Sequence, residues 1–290
     1  MLGLGPERLT IPEALFKFTL LPPLVGDDGH VDTQYAHALL AKDEFFKRWG
    51  IELSDDLPPR VSASELVDRM VLAFGRKAGK PNPSIWIDHT PGNIRYASSL
   101  SQMFPASRFV HLVRDGRAVA ASILPLDWGP NTIADAARWW SMHIAIGLAG
   151  ERTLGPERVL TVRYEDVVCK PEVVLPKICR FAGLSYDERM IYQRDFDARA
   201  FTMTEERLAG QRPDPARTVA WKRRLRGSEV EFFEHLTWEL LDLLGYEMVY
   251  GAAARMAPRG ERLAAFAQDV LRRGLTDRIR RRRRPEPNRS

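Results

Sequence analysis

Arg114 and Ser122 stand eight residues apart in RFVHLVRDGRAVAASIL, residues 108–124, and a guanidinium followed by a hydroxyl at that spacing suits an anion. A buried strand ending in Arg114, a tight Asp115-Gly116 turn and a helix would set them there. The first N–H groups of such a helix point beyond the strand's carboxyl end, where the helix dipole favours negative charge. Arg114 would offer a phosphate a planar fork, and Ser122, about two turns into the helix, a hydroxyl donor. The RDGR run by itself equally fits a βα turn whose arginines pair with surface carboxylates.

Other phosphate and catalytic signatures fail. GRKAGK at 75–80 has the wrong spacing for a Walker A loop, and Pro81 stands where that motif needs Ser or Thr. Gly3 and Gly5 form a GxG without a preceding strand. Neither GxSxG nor HExxH occurs and the six histidines are scattered, so neither a hydrolase triad nor a bound metal is expected. Cys169 and Cys179 have no partner at ligand or redox spacing, which predicts core fillers in a reducing compartment.

Three β-branched or aromatic runs, 84–89 (SIWIDH), 108–114 (RFVHLVR) and 158–164 (RVLTVRY), read as buried strands. Helical spacing covers 32–49, 62–76 (opened by a Ser62/Glu65 capping box), 93–103 with Asn93 as N-cap, 116–124, 133–152, 171–181 and 228–244. Residues 84–114 should form a right-handed parallel βαβ unit, and the alternation gives an α/β fold with a parallel sheet flanked by helices. Trp139 and Trp140 read as core, and the proline-rich stretches 22–32, 56–60 and 80–83 as loops.

The 290 residues are 44% hydrophobic and 28% charged, an ordinary globular composition. Residues 272–290 carry nine Arg against Asp277 and Glu286, a net of +7 that leaves the first 271 residues at about −2. The Arg280–Arg284 block could hold a polyanion, although no aromatic interleaves it to stack on bases. No apolar run approaches 18 residues and no signal peptide is apparent, so no transmembrane span and a cytoplasmic location are expected. The expected division is an α/β domain over 1–256 followed by a helix and basic tail over 257–290.

The 108–124 segment resembles the 3′-phosphate-binding element of sulfotransferases that use 3′-phosphoadenosine 5′-phosphosulfate (PAPS). The likeness continues in order through DHTPGN at 88–93, VLTVRYEDVVCKPE at 159–172, FAGLSYD at 181–187, VAWKRRL at 219–225 and LLDLLGY at 240–246. The resemblance implies a P-loop-NTPase-like sulfotransferase fold, PAPS as co-substrate and a hydroxyl-bearing small molecule or carbohydrate as acceptor, with tyrosine side chains also served by this scaffold. It places Arg114 and Ser122 on the 3′-phosphate, Tyr164 near the adenosine, and Trp221 and Lys222 near the phosphosulfate, with Arg217 a weaker candidate. Arg163, Glu165 and Asp166 fit structural ion partners and cofactor contacts equally, and stay outside the expected site.

The chain departs from the family twice. Where the family's turn carries Lys before Thr-Pro, Asp88 and His89 stand here; His89 could donate to a sulfuryl oxygen or take the acceptor's proton. The family's first strand and its Arg-Ser-Gly-Thr-Thr loop for the 5′-phosphosulfate have no counterpart, and MLGLGPERLTIPEALFKF matches the second half of the helix that follows that loop together with the Pro-Glu segment after it. The resemblance therefore predicts a truncated start and weak or absent transfer by these residues alone. Pro12-Glu13 stands where several branches keep the carboxylate that deprotonates the acceptor, which makes Glu13 the first choice of base. A P-loop-type kinase and a non-catalytic nucleotide-binding protein remain the alternative readings.

Overall fold

The computed structural model describes residues 2–19, 21, 24–26, 28–53, 57–126, 129–192 and 213–256, with isolated positions from 258 to 270. The Arg280–Arg284 run, Trp128 and part of the 22–32 loop lie outside the described residues. The protein is α/β and divides into two compact units. One comprises Met1–His111, Ala149–Thr161 and Lys170–Pro213; the other comprises Leu112–Leu148, Val162–Cys169 and Asp214–Ser290.

The first unit runs β1 (Arg8–Ile11), α1 (Phe16–Thr19), β2 (His30–Asp32), α2 (Thr33–Leu40), α3 (Glu44–Trp49), β3 (Arg60–Ser62), α4 (Ala63–Lys77) and β4 (Ile85–Asp88). A 3₁₀ turn (Pro91–Tyr96) and α5 (Ala97–Met103) follow. β1 pairs in parallel with β4, with Ile11 opposite Asp88, so the ends of both strands deliver their following loops to one place. Leu9 and Ile11 bury against Leu66, Met70 and Phe74 of α4, and Phe16 meets Trp49 edge-on at 5.6 Å.

Three expectations change in this unit. The span 32–49 is two helices, because the Asp43 carboxylate accepts from Phe46 N–H at 2.8 Å and starts a new one. Asn93 caps no helix; it lies inside the 3₁₀ turn, its Nδ2 donating to Asp88 O at 3.2 Å. Residues 84–114 are not one βαβ ladder, since β4 takes β1 as its partner while β5 (Phe109–Val113) pairs with β6 (Val159–Arg163). The Ser62 cap holds as expected, accepting from Glu65 N–H at 3.1 Å.

The unit boundary falls within β5, β6 and α7 (Ile133–Leu154). The second unit takes the end of β5, α6 (Gly116–Ile123), most of α7 and α8 (Tyr164–Cys169). After α9 (Pro171–Ala182) and α10 (Arg189–Tyr192) of the first unit, it resumes with a 3₁₀ turn (Pro215–Arg217), α11 (Trp221–Arg224) and α12 (Gly227–Leu243). Val113, Trp140, Ile144, Phe233 and Leu241 form its core. Trp140 is core as expected; Trp139 is instead exposed, its ring tilted against His143 one turn later at a centroid distance of 4.0 Å. Cys179 is buried, but Cys169 faces solvent as the last residue of α8 and fills no core. Among the described residues no helix is long and apolar enough to cross a membrane.

Candidate functional site

In the second unit, β5 ends at the buried Val113, and Arg114 leaves the strand with its carbonyl accepting from Trp140 Nε1 at 3.0 Å. Its guanidinium lies 4.6 Å over the ring of Tyr164, the first residue of α8. Nη2 donates to the Arg217 carbonyl at 3.4 Å, and among the described residues the buried Nε has no partner. Among the described residues Arg114 has no carboxylate partner, so a cation with one orphaned N–H is held on an aromatic face, which fits a phosphate oxygen. Ser122 is exposed in the last turn of α6. Arg217 contributes its carbonyl to Arg114, and its side chain is exposed.

The start of α6 is not the open anion nest that its sequence suggests. Asp115 caps it, accepting Arg117 N–H at 2.9 Å, and the Asp115 N–H donates to Glu165 Oε1 at 3.0 Å. A carboxylate of the chain itself already occupies the positive end of the helix, so the first-turn N–H groups are not free for a phosphate. Glu165 also accepts from Tyr246 O–H at 3.0 Å, and Arg163 donates to Gly245 O at 3.0 Å while lying over the Tyr246 ring. Burial and the Glu165 carboxylate push the Tyr246 phenol far up, so it stays a hydrogen-bond donor. Arg163 and Glu165 thus both engage the Gly245–Tyr246 segment, and among the described residues the Arg163 Nε, like that of Arg114, is buried without a partner.

Sequence reasoning missed Arg117. At 1% exposure it forks onto Asp115 (Nε 3.0 Å, Nη2 2.8 Å), reaches Glu234 at 2.5 Å and the Glu247 carbonyl at 2.7 Å, and lies 4.2 Å over Trp221. Burial alone would lower its pKa; the two carboxylates outweigh that and raise it. Trp221 is buried beneath this guanidinium, packed with Ala118, Ala121 and Val230, while Lys222 is exposed beside it. The one signal in the sequence was a charge on the small-residue face of α6, between Gly116 and Ala120.

In the first unit the Pro12–Ala14 loop and the Asp88–Thr90 turn are tied together. Ala14 N–H donates to Thr90 Oγ1 at 2.9 Å, and that hydroxyl donates to Asp88 Oδ1 at 2.5 Å. The other Asp88 oxygen holds the Lys17 ammonium, which is 2% exposed. Burial lowers the Lys17 pKa, opposed by Asp88 and by Glu13, which places the Glu13 carboxylate in the field of this ammonium. Trp49 Nε1 donates to the Glu13 carbonyl at 3.3 Å. Partly exposed Glu13 and exposed His89 therefore stand on the two loops that this buried network joins.

Residues 28–188 match the model of the sulfotransferase family, a span containing His89, Arg114, Ser122 and Tyr164 but not Glu13, Trp221 or Lys222. The chain is 26% identical to a protein-tyrosine sulfotransferase 2 of Gallus gallus over 54% of its own length and 45% of the relative's. It is 26% identical to a protein-tyrosine sulfotransferase of Drosophila melanogaster over 41% of its length and 25% of the relative's. It thus spans between a quarter and a half of these relatives. The sulfotransferase domain of the Synechococcus PCC 7002 olefin synthase shares its fold with TM-score 0.56 and 20% identity, covering 83% of this chain and 94% of that one. The sulfotransferase domain of the curacin biosynthetic pathway gives TM-score 0.50 and 18% identity over 75% of each.

Proposed function

The chain belongs to the sulfotransferase family, and from that membership we propose that it transfers a sulfuryl group from PAPS to an acceptor hydroxyl. The observation that carries this reading is the Arg114 guanidinium, which lies over the Tyr164 ring with its Nε buried and, among the described residues, unpartnered. Arg114 and Ser122 take the 3′-phosphate, Tyr164 lies near the adenosine, and Lys222 meets phosphosulfate charge from above the buried Trp221. PAPS supplies sulfur bonded to a good leaving group. Transfer of this kind passes through a loose in-line transition state, so the protein contributes mainly position and charge. The acceptor oxygen bonds to sulfur while the bond to the phosphate oxygen breaks, and the acceptor's proton goes to Glu13, with His89 as the second candidate. Lys17 and Thr90 hold the loops that carry both. The names of the relatives favour a tyrosine hydroxyl as acceptor, beside the small alcohols and carbohydrates that the family pattern allows.

Isothermal titration with 3′,5′-adenosine bisphosphate tests the nucleotide end. Binding is expected and should weaken about ten- to a hundredfold in Arg114→Ala, the loss of charge-assisted hydrogen bonds worth about 1.5–3 kcal/mol. Labelled-sulfate transfer to a tyrosine peptide, a simple phenol and a sugar then separates the acceptor classes. Binding of ATP with magnesium in place of the bisphosphate would reject the proposal in favour of a kinase.

A further inference from the structure

Arg114 faces a local difficulty: Asp115 adjoins it in sequence, and Glu165 reaches the same turn through the Asp115 N–H. A carboxylate that swung onto Arg114 would fill the phosphate site from within the chain. Both are instead engaged elsewhere. Glu165 is spent on the Asp115 N–H and the Tyr246 hydroxyl. Asp115 gives both its oxygens to the Arg117 fork. Arg117 is in turn fixed by Glu234, which is fully buried and also accepts the N–H groups of Val249, Tyr250 and Gly251 at 2.9, 2.7 and 3.1 Å. The Trp221 ring closes the remaining side of the guanidinium.

We infer that Arg117 is a positioning residue for nucleotide binding: by sequestering the Asp115 carboxylate it keeps Arg114 unpaired and available to a phosphate. The inference rests on the reading of Arg114 as the 3′-phosphate ligand. It also gives Trp221 a role at one remove, as the ring over which the sequestering fork sits. A planar fork is required, because an ammonium in its place meets one carboxylate oxygen at a time.

The test is a rescue cycle on the full chain, read by titration with 3′,5′-adenosine bisphosphate alongside thermal unfolding. Arg117→Met should weaken binding at least about tenfold, because the released Asp115 competes for Arg114 through a charge-assisted bond. Adding Asp115→Asn, which keeps the helix cap but removes the competing charge, should restore affinity to within about threefold of wild type. If Arg117→Met does not fold, the same cycle is run with Arg117→Lys, which keeps a cation in the core. A purely structural role predicts no such rescue. Arg117 variants that bind like wild type, or a loss that Asp115→Asn does not relieve while the melting temperature holds, overturn the inference. A wild-type chain that does not bind the nucleotide, or an Arg114→Ala variant that binds unchanged, instead overturns the phosphate reading, and the inference falls with it.

Discussion

An ammonium at 2% exposure is sustained only by a partner, since an unpaired buried charge costs several kcal/mol. Lys17 has Asp88, and Asp88 has in addition both the N–H and the hydroxyl of Thr90. Removing one partner leaves the other uncompensated, so Lys17→Met should destabilise the protein by about 3–5 kcal/mol, read as a lower urea midpoint at unchanged slope. Lys17→Met with Asp88→Asn should recover part of the loss, because both charges leave together. If the single variant unfolds at the wild-type midpoint, the pair does not hold these loops and Glu13 and His89 lose their shared support.

At the scale of elements, α6 enters the core through a residue without a side chain. A Cβ on Gly116 would come within 2.6 Å of Phe233 and 2.7 Å of Trp140, closer than such contacts tolerate. Gly116→Ala should cost about 1–3 kcal/mol by overpacking, and it should move the Arg114 turn, so a melting curve and a nucleotide titration should shift together. The β5–β6 pair carries a second device. His111 is buried with Nδ1 3.3 Å from Thr161 Oγ1, which donates to Glu151 at 2.5 Å. Burial lowers the His111 pKa below its usual 6.5, against the opposing pull of Glu151. The unfolded chain then binds a proton before the folded one does, so stability is fully present above pH 6.5 and falls as pH drops toward the depressed folded value. His111→Phe should flatten that acid limb in urea midpoints measured across pH; an unchanged slope would assign it to other groups.

These elements also show what the sequence carried. The strands β4, β5 and β6 fall inside the expected runs 84–89, 108–114 and 158–164, because β-branched residues fit a pleated buried surface wherever they pair. The partner of β4 was not legible: β1 is only four residues, and its first, Arg8, reads as surface until its guanidinium meets Ser185, 177 positions away. The site divides the same way. Arg114, Ser122 and Tyr164 are local to a strand end and two helices, whereas the burial of Arg117 depends on Glu234, 117 residues further on. The capped start of α6 was hidden for a related reason, since Asp115 fits a turn and an N-cap equally well until its neighbours are known.

For the whole molecule, the division into two units sorts the chemistry. Arg114, Ser122, Tyr164, Trp221 and Lys222 all belong to one unit, and Glu13 and His89 to the other. Each group is held by its own network: Arg117, Asp115 and Glu234 on one side, Lys17, Asp88 and Thr90 on the other. Energetic effects of substitutions without shared partners are close to additive, so binding and proton transfer should be separable by mutation. Glu13→Gln is expected to leave affinity for 3′,5′-adenosine bisphosphate within about twofold of wild type. Its transfer rate should drop by about 10² to 10⁴, the usual contribution of a general base. Arg114→Ala is expected to show the reverse emphasis, with weakened nucleotide binding and a rate that recovers substantially at saturating PAPS. The paired titrations and labelled-sulfate assays distinguish this from a single coupled site, in which Glu13→Gln would loosen the nucleotide as much as it slows transfer.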